Sequence, residues 1–159
     1  MLDVFCISAG FITRVMAGAV AVDVPISPWL YVCMGFGALF IGLAKRMSES
    51  INVPEGIEIR RKSMNYYNRK SLGLLMTTVS SISLMSYCLY TFTATNLPTN
   101  NSMILTIPFV AFGLFRYQFL VSSKGLGERP EHVFFKDKVL LSCLLVWLFC
   151  VLGVLYAFR

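Results

Sequence analysis

AKRMSESINVPEGIEIRRKSMNYYNRK, residues 44–70, is the stretch whose reading divides the chain. It carries seven Lys/Arg (Lys45, Arg46, Arg60, Arg61, Lys62, Arg69, Lys70) against three acids (Glu49, Glu55, Glu58), a local balance of +4. Long apolar runs flank it on both sides. A second polar stretch, Arg116 to Lys138, adds five bases and three acids, so the two together hold 12 of the 14 bases and 6 of the 8 acids. Charge is therefore confined to connectors, and the remainder must sit in an apolar medium. The whole-chain figures agree: 57% hydrophobic residues, 14% charged residues and a mean hydropathy of +0.70 are far from a soluble domain.

A helix needs about 20 apolar residues to cross ~30 Å of hydrocarbon. Runs of that length occur at Leu2 to Val22, Pro25 to Ala44, Leu72 to Phe92, Met103 to Val121 and Val139 to Phe158. The expected architecture is an all-α integral membrane bundle of about five transmembrane helices, with residues 1–159 forming a single transmembrane domain. A cleaved signal peptide would need a basic start, whereas this chain begins with Asp3. The five cysteines, Cys6, Cys33, Cys88, Cys143 and Cys150, all fall in apolar runs without metal-site spacing, and read as buried packing thiols. The net charge of +6 does not indicate nucleic acid, because the bases lie between spans.

Cytoplasmic connectors accumulate Lys/Arg. The connectors at 23–28 and 93–102 contain none, while those at 45–70 and 116–138 contain seven and five. Both charged connectors are expected on the cytoplasmic side of the membrane, with the start of the chain inside and Arg159 outside.

Arg14 lies 12 residues beyond Leu2, ~18 Å along the first helix and near mid-membrane. A charge at that depth costs about 2.5–3.5 kcal/mol even on lenient insertion scales. Gly10, Arg14 and Gly18 share one face, predicting close packing with the guanidinium turned inward; snorkelling or a structural pairing with a carbonyl is the alternative. Gly35, Gly37, Ala38 and Gly42 give the second span a small face, and Pro28 suits a first helical turn. In the main connector, residues 57–72 read as a basic amphipathic helix after Pro54 and Gly56. The hydroxyls of the third span (Thr77, Thr78, Ser80, Ser81, Ser83, Ser86) are expected to return hydrogen bonds to the backbone or bridge to a neighbour. Pro108 predicts a kink in the fourth span. The GLG at 125–127 is a weak phosphate fingerprint because no strand precedes it. His132, the only histidine, reads as a solvated loop residue, and the fifth span as packing. Bases facing one compartment, with acids among them, suit phosphorylated substrates.

The ordered runs LDVFCISAGFITRVMAG, PISPWLYV, AKRMSE, RKSMNYY, IPFVAFGLFRY and GERPEHVFFKDKVLL resemble the UbiA superfamily of polyprenyl transferases, and within it the decaprenyl-phosphate phosphoribosyltransferase branch. The resemblance covers the whole chain and corresponds to the C-terminal half of that fold. The half carrying the family's NDxxDxxxD motif is absent here, and the DxxxD of aromatic prenyltransferases is replaced by Lys45, Arg46 and Glu49. What it implies is transfer of phosphoribosyl from phosphoribosyl pyrophosphate to a polyprenyl phosphate with Mg²⁺, incomplete without the other half. That half could be separately encoded, or the chain could form a homo-oligomer. It further implies Glu49 and Tyr67 in catalytic roles, and Arg14, Lys45, Arg46, Arg61, Lys62, Arg116, Tyr117, Glu131 and Asp137 at substrate. Arg116, Glu131 and Asp137 could equally form a structural ion-pair network. The alternative is a non-enzymatic membrane protein that binds anionic or prenyl-phosphate lipids.

Overall fold

The computed structural model describes residues 2–23, 27–52, 69–94, 97, 102–128 and 130–157. Helix α1 spans Leu2–Val22, α2 Pro28–Asn52 and α3 Arg69–Thr93. A 3-10 turn, Ser102–Thr106, leads into α4 (Ile107–Lys124); a second, Leu126–Glu128, precedes the short α5 (Pro130–Lys136) and then α6 (Lys138–Ala157). Among the described residues there is no strand, and five helical segments are long and apolar enough to cross a membrane. The chain is an all-α integral membrane bundle.

Helix α2 is the centre of the packing, touching α1, α3, α4 and the turn at 126–128. Its small face works as expected. The carbonyl of Gly35 accepts a hydrogen bond from the Ser8 hydroxyl at 2.8 Å, and a β-carbon at Gly42 would lie 2.6 Å from a Val4 methyl. Below this, Leu43, Ala44, Leu72, Met76, Leu120 and Val121 form a core with almost no exposure. The hydroxyls of α3 behave as read: Thr77, Thr78, Ser81 and Ser86 donate to carbonyls one turn back, while Ser83 donates across to the carbonyl of Cys33 at 3.2 Å.

Several expectations are corrected. Helix α2 does not stop at Ala44 but continues to Asn52, because KRMSESIN contains good helix formers and an Arg46–Glu49 pair at i,i+3. It begins at Pro28, the first-turn position expected of it. Pro108 produces no mid-helix kink; it stands at the first turn of α4, where its missing N–H costs nothing. The stretch from Arg116 is not all loop, since α4 runs on to Lys124, and His132 is exposed on helix α5. The cysteines are free but not buried: Cys6 is exposed and the other four are half-buried. In α6 only Leu140 is buried, so its uniformly apolar surface is mostly open rather than packed. The face expected to turn inward on α1 is the open one. Helix α1 meets α2 through Val4, Ser8 and Ile12, whereas Arg14 and Gly18 are exposed and nothing lies within 4 Å of a β-carbon built at Gly10 or Gly18. Most of the amphipathic stretch at 57–72 lies outside the described residues.

Candidate functional site

The chain alternates direction through its spans, which brings the start of α1, the end of α2, the start of α3 and the end of α4 to one charged end of the bundle. The last two turns of α2 are its hub. Arg46 is only 8% exposed and lies between two carboxylates: it donates to Glu49 Oε2 at 2.7 Å and pairs with Asp3 Oδ2 from the first turn of α1. A guanidinium withdrawn from water is tolerable only with such partners. Lys45, one residue earlier, points elsewhere and is exposed. Arg69, opening α3, donates to the carbonyl of Ser50 at 2.9 Å, supplying a cation where the α2 dipole ends.

The second connector is fastened to the same two turns. Gly125 terminates α4 with φ +61, in the left-handed region, and its N–H returns to Val121 O at 3.0 Å. Its carbonyl accepts a hydrogen bond from Asn52 Nδ2 at 3.0 Å. Two residues on, the Gly127 N–H donates to Ser48 Oγ. A β-carbon at Gly127 would stand 2.6 Å from both Ala44 O and Ser48 Oγ. The GLG is thus a close-approach motif rather than a phosphate cradle, and the Gly127 amide that such a cradle would offer is already used. Ala44, Ser48 and Asn52, spaced by four, form the receiving stripe.

Arg116 and Asp137 pair with each other. Arg116 donates to Asp137 Oδ2 through Nε at 3.2 Å and through a terminal nitrogen at 2.7 Å, while Asp137 Oδ1 accepts the Leu140 N–H at 2.9 Å and so caps α6. The Leu140 amide first, and the Arg116 guanidinium second, hold the Asp137 carboxyl below the usual carboxylate range. Tyr117 is 4% exposed and its ring packs between Phe40 and Phe134, with centroids at 5.6 and 5.9 Å.

The sequence-expected residues therefore divide. Lys45, Arg46 and Glu49 all lie at the end of α2, where Arg46 and Glu49 pair and Lys45 points away. Arg116 and Asp137 form a pair between α4 and the start of α6, Tyr117 lies in the core, and Arg14 stands apart on the open face of α1. Arg61, Lys62 and Tyr67 lie outside the described residues, as does the side chain of Glu131. For the Mg²⁺ implied by resemblance, the described residues offer no group of three or more potential ligands, and Asp3, Glu49 and Asp137 are all committed to arginines. They do not fit a metal cage. Sequence reasoning missed Asp3 as the partner of Arg46, because contacts between helices leave no spacing signature. It also missed the Ser48 and Asn52 stripe, whose i,i+4 spacing was legible but whose target was not.

No family model matches the sequence. Curated relatives do. The chain is 33% identical over 159 residues to a decaprenyl-phosphate phosphoribosyltransferase of Corynebacterium glutamicum, covering 98% of this chain and 47% of that protein. Its curated homologues are decaprenyl-phosphate phosphoribosyltransferases. One from Mycolicibacterium smegmatis is 32% identical over 158 residues, and one from Mycobacterium tuberculosis is 28% identical over 148. The chain spans about half the length of these relatives, at 47%, 49% and 48%. The similarity agrees with the UbiA-type resemblance drawn from the ordered motifs.

Proposed function

We propose that this chain forms part of a membrane transferase that moves phosphoribosyl from phosphoribosyl pyrophosphate to a polyprenyl phosphate at the cytoplasmic face of a bacterial inner membrane. The observation that carries the reading is the extent of similarity: relatives bearing that name match along 98% of the chain in the Corynebacterium case. The charged end of the bundle supports it. An oxygen of the lipid phosphate attacks the anomeric carbon of the ribose, the new C–O bond forms, and the bond to diphosphate breaks. This chemistry needs positioning and charge stabilisation rather than a covalent protein intermediate.

Within that reading Lys45 is the phosphate contact, because it is exposed and among the described residues has no carboxylate, while Arg46 is already held by Asp3 and Glu49. Arg61 and Lys62, in the connector leaving the same helix end, add positive charge. Tyr67 donates to substrate and Glu131 belongs to the second connector. Glu49 orients Arg46 before it meets a ribose hydroxyl, and Arg116, Tyr117 and Asp137 hold the second connector in place.

The test is titration of the purified chain in nanodiscs with decaprenyl phosphate and with phosphoribosyl pyrophosphate, alongside Lys45→Ala. Saturable binding of both is expected, with about ten-fold weakening in the variant, the size of one charge-assisted hydrogen bond. Absence of saturable binding by the wild type refutes the reading. Binding of any anionic lipid but not of phosphoribosyl pyrophosphate favours a lipid-binding protein without catalysis. Transfer by the chain alone at the rate of its full-length relatives would refute its incompleteness.

A further inference from the structure

We infer that the face of α1 carrying Gly10, Arg14 and Gly18 is a docking surface for a transmembrane helix of a different polypeptide segment, one that presents a carboxylate near mid-membrane. The inference goes beyond the transferase reading and stands without it. Its starting point is how the chain treats its other embedded guanidiniums. Arg46, at the charged end of α2, has two carboxylates, and Arg116, in the body of α4, has two hydrogen bonds to Asp137. Arg14, in the middle of α1, has among the described residues no hydrogen bond or ion pair, only the Phe11 ring 5.6 Å from the guanidinium carbon. A phenyl face accepts no strong hydrogen bond, and the five donors of this group cannot be left facing hydrocarbon.

Among the described residues no carboxylate stands free beside Arg14. Of the eight acids, Asp3, Glu49 and Asp137 are already paired; Asp23 follows the far end of α1, about 13 Å along the axis from Arg14, and the rest lie in the two charged connectors. A second copy packed through the same face would set Arg14 against Arg14. A second copy packed through any other span offers no carboxylate at that depth. The occupant is therefore a foreign segment of opposite charge. Its shape follows from the glycines one turn above and below: open space at both β-carbon positions admits a helix backbone close to α1, while the α2 contacts of Val4, Ser8 and Ile12 lie on the opposite side and are undisturbed.

The test uses the full chain, acceptor-labelled, in phosphatidylcholine vesicles free of anionic lipid. The probe is a donor-labelled synthetic transmembrane peptide of leucine and alanine with one central aspartate, compared with the same peptide carrying leucine there. Förster transfer is expected to show about ten-fold tighter association of the aspartate peptide, the scale of an interhelical polar contact. Arg14→Met is expected to remove that preference, and Gly18→Leu to weaken both peptides by filling the space without touching α2. Equal association of the two peptides with wild type overturns the inference, as does a preference that survives Arg14→Met. Loss of the preference when decaprenyl phosphate or phosphatidic acid is added in stoichiometric amount also overturns it, because the face then belongs to a lipid phosphate.

Discussion

Replacing Gly127 by alanine would place a methyl carbon 2.6 Å from the carbonyl oxygen of Ala44 and the same distance from Ser48 Oγ. Ser48 can rotate, but the Ala44 carbonyl is helix backbone inside the core and cannot move aside. The connector must lift instead, breaking the hydrogen bond from the Gly127 amide to Ser48. Overpacking of this kind costs about 1–3 kcal/mol and the lost hydrogen bond about 1 kcal/mol more, so Gly127→Ala is expected to destabilise by about 2–4 kcal/mol. At about 2–4 °C per kcal/mol for a chain of this size, the melting temperature in detergent micelles falls by roughly 5–15 °C. Gly113→Ala is the matched control, since nothing lies within 4 Å of its β-carbon and alanine favours a helix interior; its melting temperature should hold or rise. Equal melting of Gly127→Ala and wild type would refute the claim that the second connector is fastened to α2.

The Asp137 cap gives a pH dependence. With its folded pKa held below the ordinary ~3.9, Asp137 contributes stability that is present above that value and is lost as pH falls through the lower folded value, so Asp137→Asn should melt earlier than wild type at pH 7 and converge with it in acid. Arg46→Met removes the guanidinium that Asp3 and Glu49 share and should cost about 2–4 kcal/mol in a thermal melt. That is less than a fully buried pair because Asp3 keeps 35% of its exposure, and adding Asp3→Asn should recover part of the loss. Gly42→Ala drives a β-carbon to 2.6 Å of the Val4 methyl and should loosen α1 from α2 by about 1–3 kcal/mol; Val4→Ala in the same chain should restore much of it, read as protection of α1 from hydrogen exchange.

The five spans could be read from the chain because lipid imposes a single local rule, about 20 apolar residues with every backbone group paired inside the segment. Boundaries were less legible. Residues 45–52 are polar by composition and helical in fact, since composition reports the depth of a segment and not where its hydrogen-bonded ladder ends. The candidate site divided along the same line. Lys45, Arg46 and Glu49 were found as a charged cluster, but they were read as facing substrate, and the pairing of the last two at i,i+3 came only with the structure. So did the burial of Arg46 and its bond to Asp3, 43 positions away in sequence. Likewise the GLG suggested permissive backbone and nothing about the helix it approaches. The hydroxyls of α3 were read correctly because their partners lie one turn back on the same helix.

By itself the sequence determined that this chain lies in a membrane, how many times it can cross, and which connectors gather the charge, all of which follow from transfer free energies summed over contiguous residues. Only the tertiary structure decided which bases remain available. Arg46 and Arg116 are neutralised by acids from other elements, Tyr117 is enclosed by two rings, and Arg14 is left on an open helix face. The physical reason is that a charge's role depends on its partners within a few ångströms, and those partners come from segments that the chain order holds far apart.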